Sequence, residues 1–309
     1  MIQERITVGK DTKYPLNGLL TLPDDISRPV PAVVFVHGSG ASNMNERVGK
    51  LTPFKDLAEG LARYGIASVR YDKRSSAYGR KLLQEKNITV KEETIEDAIR
   101  ATKLLRKDDR IDRSRIFIVG HSMGAMLAPR IDGQGGNYRG LVLMAGSPYK
   151  LEEIILRQNE QAMSGLNPLM KLIASRQVKK LKKTFDGLYD LTDEEAKRRK
   201  FAGGTTLYYF KEMGQYPAAG YLKNTKKPVL ILQGEQDFQA TAEEDFAGYQ
   251  ALLEGHPNVD FKLYPGLNHA FVPALSRDIN KARKEYSVER HIGDEVIGNI
   301  AGWILQTQA

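Results

Sequence analysis

Apolar and polar positions in this chain follow two rhythms. Residues 1–22 alternate in the manner of two short antiparallel strands, with Ile6 and Val8 in the first and Leu19, Leu20 and Leu22 in the second. Asn17-Gly18 supplies turn material nearby. From Pro31 onward the pattern changes. Residues 32–36 form a continuous apolar run, 54–64 read as helix, 66–71 as strand, and 94–105 repeat apolar residues at helical spacing. A strand over 115–119, a helix over 123–131 and a buried strand over 140–145 follow. Alternation of this kind predicts an α/β fold with a mostly parallel sheet covered on both faces.

The rhythm stops at Pro148 and resumes at Pro228. Between them lie helical stretches at 151–163, 166–181 and 192–200 and a Gly/Tyr-rich passage over 203–221, without a strand of the core type. The expected organisation is a core over 1–147, an inserted helical cap over 148–227, and the rest of the core over 228–309. The last part holds a strand over 229–233, a helix over 242–253, a strand over 259–264, and a closing helix over 289–305 with Trp303 on its packed face.

Composition narrows the chemistry. With no cysteine among 309 residues, disulfides, thiolate metal sites and a cysteine nucleophile are excluded. The net charge of +8 invites a nucleic-acid reading, but residues 149–227 alone carry sixteen Lys and Arg against nine Asp and Glu. Runs such as Lys179-Lys180-Leu181-Lys182-Lys183 and Lys197-Arg198-Arg199-Lys200 lack the aromatic interleaving of a single-strand platform and read as solvated helix faces. Anionic substrates and an acidic membrane surface are minor readings of the same charge. Met1 to Thr7 carry charge where a secretory signal needs an apolar core, and no stretch approaches transmembrane length. The expectation is a soluble cytoplasmic protein with no nucleic-acid partner and no stable membrane insertion; its oligomeric state is open, a homodimer being one option.

The candidate chemistry centres on Gly120-His121-Ser122-Met123-Gly124, between a predicted strand and a predicted helix. A serine hydroxyl is a poor nucleophile at neutral pH, and a sharp strand-to-helix turn lifts it out of the sheet toward a base and toward backbone N–H groups. The plain alternative is a structural turn with an idle serine. Among five histidines, His37 and His121 belong to glycine motifs, His256 ends a helix and His291 falls in the closing helix. His269, in the loop past the last predicted strand, is left as the base. Asp237, three positions past Gly234 at the end of its strand, is the candidate orienting acid. Glu235 is the near rival and reads as a surface group, while Asp245 lies too far into the next helix. His37-Gly38-Ser39-Gly40 follows another strand, so the Ser39 and Met123 backbone N–H groups are the candidate oxyanion donors. A phosphate loop would need a lysine with serine or threonine at defined spacing, which this loop lacks. No metal or organic cofactor is implied.

Taken together, Val33-Val34-Phe35-Val36-His37-Gly38-Ser39-Gly40, Asp56-Leu57-Ala58-Glu59-Gly60-Leu61-Ala62, Val69-Arg70-Tyr71-Asp72-Lys73-Arg74 and the Ser122 motif resemble the serine α/β-hydrolase superfamily. Within it, they resemble the bacterial carboxylesterases of the EstD type; dienelactone hydrolases and monoacylglycerol lipases are similar more distantly. The resemblance implies an α/β-hydrolase fold and an esterase with triad Ser122, Asp237 and His269, acting on small to medium acyl esters through an acyl-enzyme. A serine peptidase or amidase, or a non-catalytic ligand-binding protein of this fold, stands as the alternative. Some of these esterases carry an extra N-terminal domain, and here only about 30 residues precede the first core strand. Leu166, Met170, Ile173 and the Tyr208-Tyr209-Phe210 cluster are candidates to line an apolar pocket in the cap.

Overall fold

The computed structural model describes residues 1–85, 87–201 and 204–307, so Gly203, where the Gly/Tyr-rich passage begins, lies outside the described residues. The first alternating stretch forms β1 (Ile2–Val8) and β2 (Leu16–Leu22), paired antiparallel with Ile2 opposite Leu22 and Val8 opposite Leu16. The chain reverses between them over residues 9–15, where Gly9 has a φ of 68°. Asn17-Gly18 is therefore not the turn. Gly18 sits inside β2, where an added Cβ would stand 2.8 Å from the Arg70 carbonyl oxygen of the neighbouring strand. Glycine serves close strand approach there.

Then come β3 (Val30–Val36), α1 (Pro53–Arg63), β4 (Ala67–Tyr71), α2 (Arg74–Gln84), α3 (Glu96–Leu105), β5 (Ile111–His121), α4 (Met123–Ile131) and β6 (Leu141–Met144). Five helices follow: α5 (Leu151–Ser164), α6 (Pro168–Phe185), α7 (Asp193–Arg198), α8 (Leu207–Gln215) and α9 (Ala218–Leu222). The chain closes with β7 (Val229–Gly234), α10 (Ala247–Leu252), β8 (Val259–Tyr264), α11 (Ala282–Glu285) and α12 (Asp294–Gln306). The eight strands lie in the order β1-β2-β4-β3-β5-β6-β7-β8, parallel from β4 to β8. Every residue of β3, β4, β6 and β7 is buried, as a parallel strand covered on both faces requires. Ala32, Val34 and Val36 of β3 pack into one core with α3 and α4, and Val33 and Phe35 into another with α1 and α12.

Several boundaries differ from the sequence reading. α2 has no counterpart in it, because Arg-Ser-Ser-Ala-Tyr-Gly-Arg carries no apolar stripe. The helix read over 94–105 is preceded by a π-helical turn at Lys91–Ile95, and the one read over 242–253 opens with another at Ala242–Phe246. α12 begins at Asp294, so His291 stands outside it, and its imidazole pairs with Asp56. Trp303 packs edge-on against Phe117 and donates from its indole N–H to Asp260.

The segment between β6 and β7 is helical throughout its named elements and is tied to the sheet domain by charge as well as packing. Arg157 of α5 pairs with Asp245 at 2.5 Å, and Glu212 of α8 pairs with Arg130 of α4. Leu207, Tyr209, Phe210 and Met213 of α8 join the same core as α4. Lys179, Lys180, Lys182 and Lys183 on α6 are exposed. Among the described residues, no helix is long and apolar enough to cross a membrane.

Candidate active site

β5 runs straight into the turn at Ser122, whose φ of 54° and ψ of −120° break the strand before α4 begins at the next residue. A non-glycine residue at such a φ is strained, and the surroundings must hold it there. The Ser122 N–H donates to the Met144 carbonyl at 2.8 Å, pinning the turn to β6. The two flanking glycines are sterically required. A Cβ on Gly120 would lie 2.3 Å from the Gly124 carbonyl oxygen, and one on Gly124 would lie 2.0 Å from that of Val36. Ser122 thus stands at the N-terminus of α4, where the helix dipole favours developing negative charge.

His269 lies in the loop after β8, and its Nδ1 is 2.7 Å from Asp237 Oδ2. Asp237 is fully buried beyond the end of β7. The same Oδ2 accepts from Gln233 Nε2 at 2.9 Å, and Oδ1 accepts the Gln239 and Ala240 backbone N–H groups at 2.7 and 3.1 Å. Four donors converge on one buried carboxylate and fix its orientation. Glu235, by contrast, accepts from Gly266 N–H at 3.2 Å, and Asp245 is taken up by Arg157. Ser122 and His269 line one cavity, although the hydroxyl makes no hydrogen bond to the imidazole here. Such bonds often tighten only when substrate binds.

Below the cavity lies a group that motif reading passes over. His121 bridges two loops that contribute to the cavity wall: Nε2 is 2.8 Å from the His269 carbonyl oxygen, and Nδ1 is 3.0 Å from Glu46. Glu46 in turn accepts the Gly38 N–H at 2.7 Å. Burial pulls the His121 pKa down, but Glu46 and the His269 carbonyl outweigh it and hold the imidazole above its ordinary value. Burial likewise pushes Glu46 up, and His121, His37 and the Gly38 N–H overcome it, so the carboxyl is held low. The His121–Glu46 contact therefore links the loop carrying His269 to the loop carrying Ser39. His37 itself is buried, which lowers its pKa to about 4; its Nε2 lies 3.0 Å from the Asn43 carbonyl oxygen.

The cavity, about 520 Å³, is lined by Ser39, Ser122, Met123 and His269 from the sheet domain and by Leu151, Ile154, Phe201 and Tyr209 from the helical segment. Tyr209 and Phe210 reach it; Leu166, Met170, Ile173 and Tyr208 do not line it, and Met170 and Ile173 are exposed on α6. Periodicity marks an apolar face but not whether anything covers it. The Tyr209 hydroxyl donates to Glu93 at 2.8 Å and lies 3.7 Å from the Met123 sulfur, bringing the helical segment against the elbow. Glu46, Glu93 and Gln233 carry no short-range motif signal, and Lys73 stands in the Val69–Arg74 motif without an assigned role; contacts across the fold bring the four to this site.

The same arrangement of chain occurs in known proteins. Residues 33–279 match the model of the Alpha/beta hydrolase family. Esterase EstD of Thermotoga maritima is 34% identical over 291 residues, an alignment that takes in 94% of this chain and 66% of the relative, so the chain spans about two thirds of that protein. Among solved structures, Est1E from Butyrivibrio proteoclasticus superposes with a TM-score of 0.57 at 16% identity, each chain covered to 98%. A proline iminopeptidase from Mycobacterium smegmatis does so with a TM-score of 0.61, also at 16% identity and 98% coverage of both chains. These two likenesses concern the fold. With its model matched over residues 33–279, most of the chain, the chain belongs to the α/β-hydrolase family.

Proposed function

We propose that this chain is a carboxylic ester hydrolase that works through an acyl-enzyme on Ser122. The observation that carries the reading is the strained Ser122 elbow opening into the same cavity as His269, whose Nδ1 is held by the buried Asp237. Ser122 Oγ attacks the ester carbonyl while His269 Nε2 takes its proton; Asp237 keeps the Nδ1–H tautomer that leaves Nε2 free to accept. The Ser39 and Met123 N–H groups receive the oxyanion. His269 then passes the proton to the departing alcohol, and deprotonates the water that releases the acid. Similarity to an esterase over 94% of the chain supports ester over other acyl substrates.

Residues 148–227 act as the cap. Their contribution of Leu151, Ile154, Phe201 and Tyr209 to the cavity wall supports a part for them in setting acyl and alcohol size, and a cavity of about 520 Å³ suits small to medium esters. Turnover of p-nitrophenyl esters of increasing acyl length tests this. Activity should peak at short to medium chains and vanish in Ser122→Ala. Equal or better cleavage of the matching anilides would instead favour an amidase.

A further inference from the structure

The Asp72-Lys73-Arg74 sequence has no part in the mechanism above, yet it organises the loop that carries Ser39. Asp72 Oδ1 accepts the Met44 N–H at 2.8 Å, the Lys73 N–H donates to the Ser42 carbonyl at 3.0 Å, and Arg70 Nε donates to Asn45 at 3.0 Å. The end of β4 thus grips the loop at several points. Lys73 does more than grip. Its side chain is only 2% exposed, and its ammonium donates to the Gly38 carbonyl oxygen at 2.9 Å.

That carbonyl belongs to the peptide unit whose other end is the Ser39 N–H. A cation bonded to the oxygen of an amide draws electron density from its nitrogen and makes the N–H a stronger donor, the more so where little water screens the charge. The preceding peptide is fixed from the opposite side, since the Gly38 N–H is held by Glu46. Glu93, 3.6 Å from the ammonium, is the counter-ion that lets a lysine stay charged in this position. We propose that Lys73 is a positioning residue of the oxyanion site, its ammonium polarising and orienting the Gly38–Ser39 peptide toward the developing oxyanion. The inference rests on the ester-hydrolase reading and deepens it.

An oxyanion donor strengthened by a charge matters only once the oxyanion exists, so Lys73 acts on kcat and leaves KM alone. The loss should be smaller than the 10²–10³ that follows removal of a donor itself, on the order of tenfold. Burial lowers the Lys73 pKa, against the raising effect of Glu93 and Glu46, and His37 also faces the group. Wild-type kcat should therefore fall on the alkaline side at a pH below the ordinary lysine range.

The test measures kcat, KM and the affinity of a trifluoromethyl ketone, which forms a tetrahedral oxyanion on serine, for wild type, Lys73→Met, Glu93→Gln and the double variant. Folding is followed by circular dichroism and melting temperature. Lys73→Met should lower kcat about tenfold and ketone affinity by a similar factor at unchanged KM. Glu93→Gln should move the alkaline fall of kcat to lower pH, which a packing role would not do. The double variant, free of an unpaired buried charge, keeps the question answerable if Lys73→Met does not fold. A folded double variant with wild-type kcat and ketone affinity would overturn the proposal. A wild type that neither hydrolyses esters nor binds the ketone would remove the ester-hydrolase reading itself, and the inference with it.

Discussion

Asp237→Asn isolates the orienting role of one atom. Oδ1 faces two backbone donors, from Gln239 and Ala240, that cannot turn away. Oδ2 faces His269 Nδ1 and Gln233 Nε2, and that amide nitrogen also donates to the Ala240 carbonyl at 2.8 Å, which holds it in its flip state. The asparagine oxygen must therefore take the Oδ1 place and its NH₂ the Oδ2 place. An NH₂ at 2.7 Å from Nδ1 makes that nitrogen an acceptor and puts the imidazole proton on Nε2. Nε2 then has no lone pair for the Ser122 proton. Loss of the correct tautomer costs about 10⁴ in kcat, roughly 5 kcal/mol of transition-state stabilisation. KM should move little, since the buried Asp237 touches no substrate. The NH₂ also opposes the Gln233 amide, so stability should drop by about 1–3 kcal/mol for the buried donor left unpaired. Steady-state hydrolysis of p-nitrophenyl butyrate, with a urea melt of the same preparation, measures both. A kcat within tenfold of wild type in a folded variant would refute the tautomer argument.

Three further outcomes follow from the geometry. Gly124→Ala places a Cβ 2.0 Å from the Val36 carbonyl oxygen and should abolish activity or folding, whereas Gly220→Ala, with nothing within 4 Å, should change the urea midpoint by less than about 1 kcal/mol of stability. Arg157→Met leaves the buried Asp245 carboxylate without its cation and should cost about 3 kcal/mol; adding Asp245→Asn should recover part of it, and a single variant as stable as wild type would show that the pair does not anchor α5. The third is acid sensitivity. With His37 held down to about 4 in the folded chain against 6.5 unfolded, its stability contribution is complete above 6.5 and is lost as pH falls through about 4. That amounts to roughly 3 kcal/mol, and calorimetry should show His37→Gln taking up about one proton fewer on unfolding at pH 5. An unchanged pH slope would mean that His37 is not the group responsible.

Strand ends explain why much of this site is readable from the chain. In a parallel sheet, side chains that follow the strands gather at one edge, so the order of Ser122, Asp237 and His269 along the sequence already fixes where each emerges. Buried apolar runs such as Val33-Val34-Phe35-Val36 announce the strands that carry them. Contacts between loops leave no such trace. Glu46 lies in a loop at a φ of 51°, 75 positions before its partner His121, and nothing local to either residue announces the pair. Glu93 sits on a π-helical turn, where helical periodicity no longer tells which side chain faces inward. On α6 the limit is of another kind: Leu169, Met170, Leu172 and Ile173 look like core in sequence and are exposed in the structure. Gly18, read as a turn, was likewise set by a neighbouring strand rather than by its own dipeptide.

The central claim is that Ser122 carries the acyl group. Rapid mixing with excess p-nitrophenyl ester, followed by acid quench and peptide mass spectrometry, examines that bond itself. A burst of about one equivalent of p-nitrophenol should accompany an acyl mass on the peptide containing Ser122, and both should be absent from Ser122→Ala. A folded wild-type protein that turns over the ester with the acyl group on another residue, or that shows no adduct and unchanged turnover in Ser122→Ala, would contradict it.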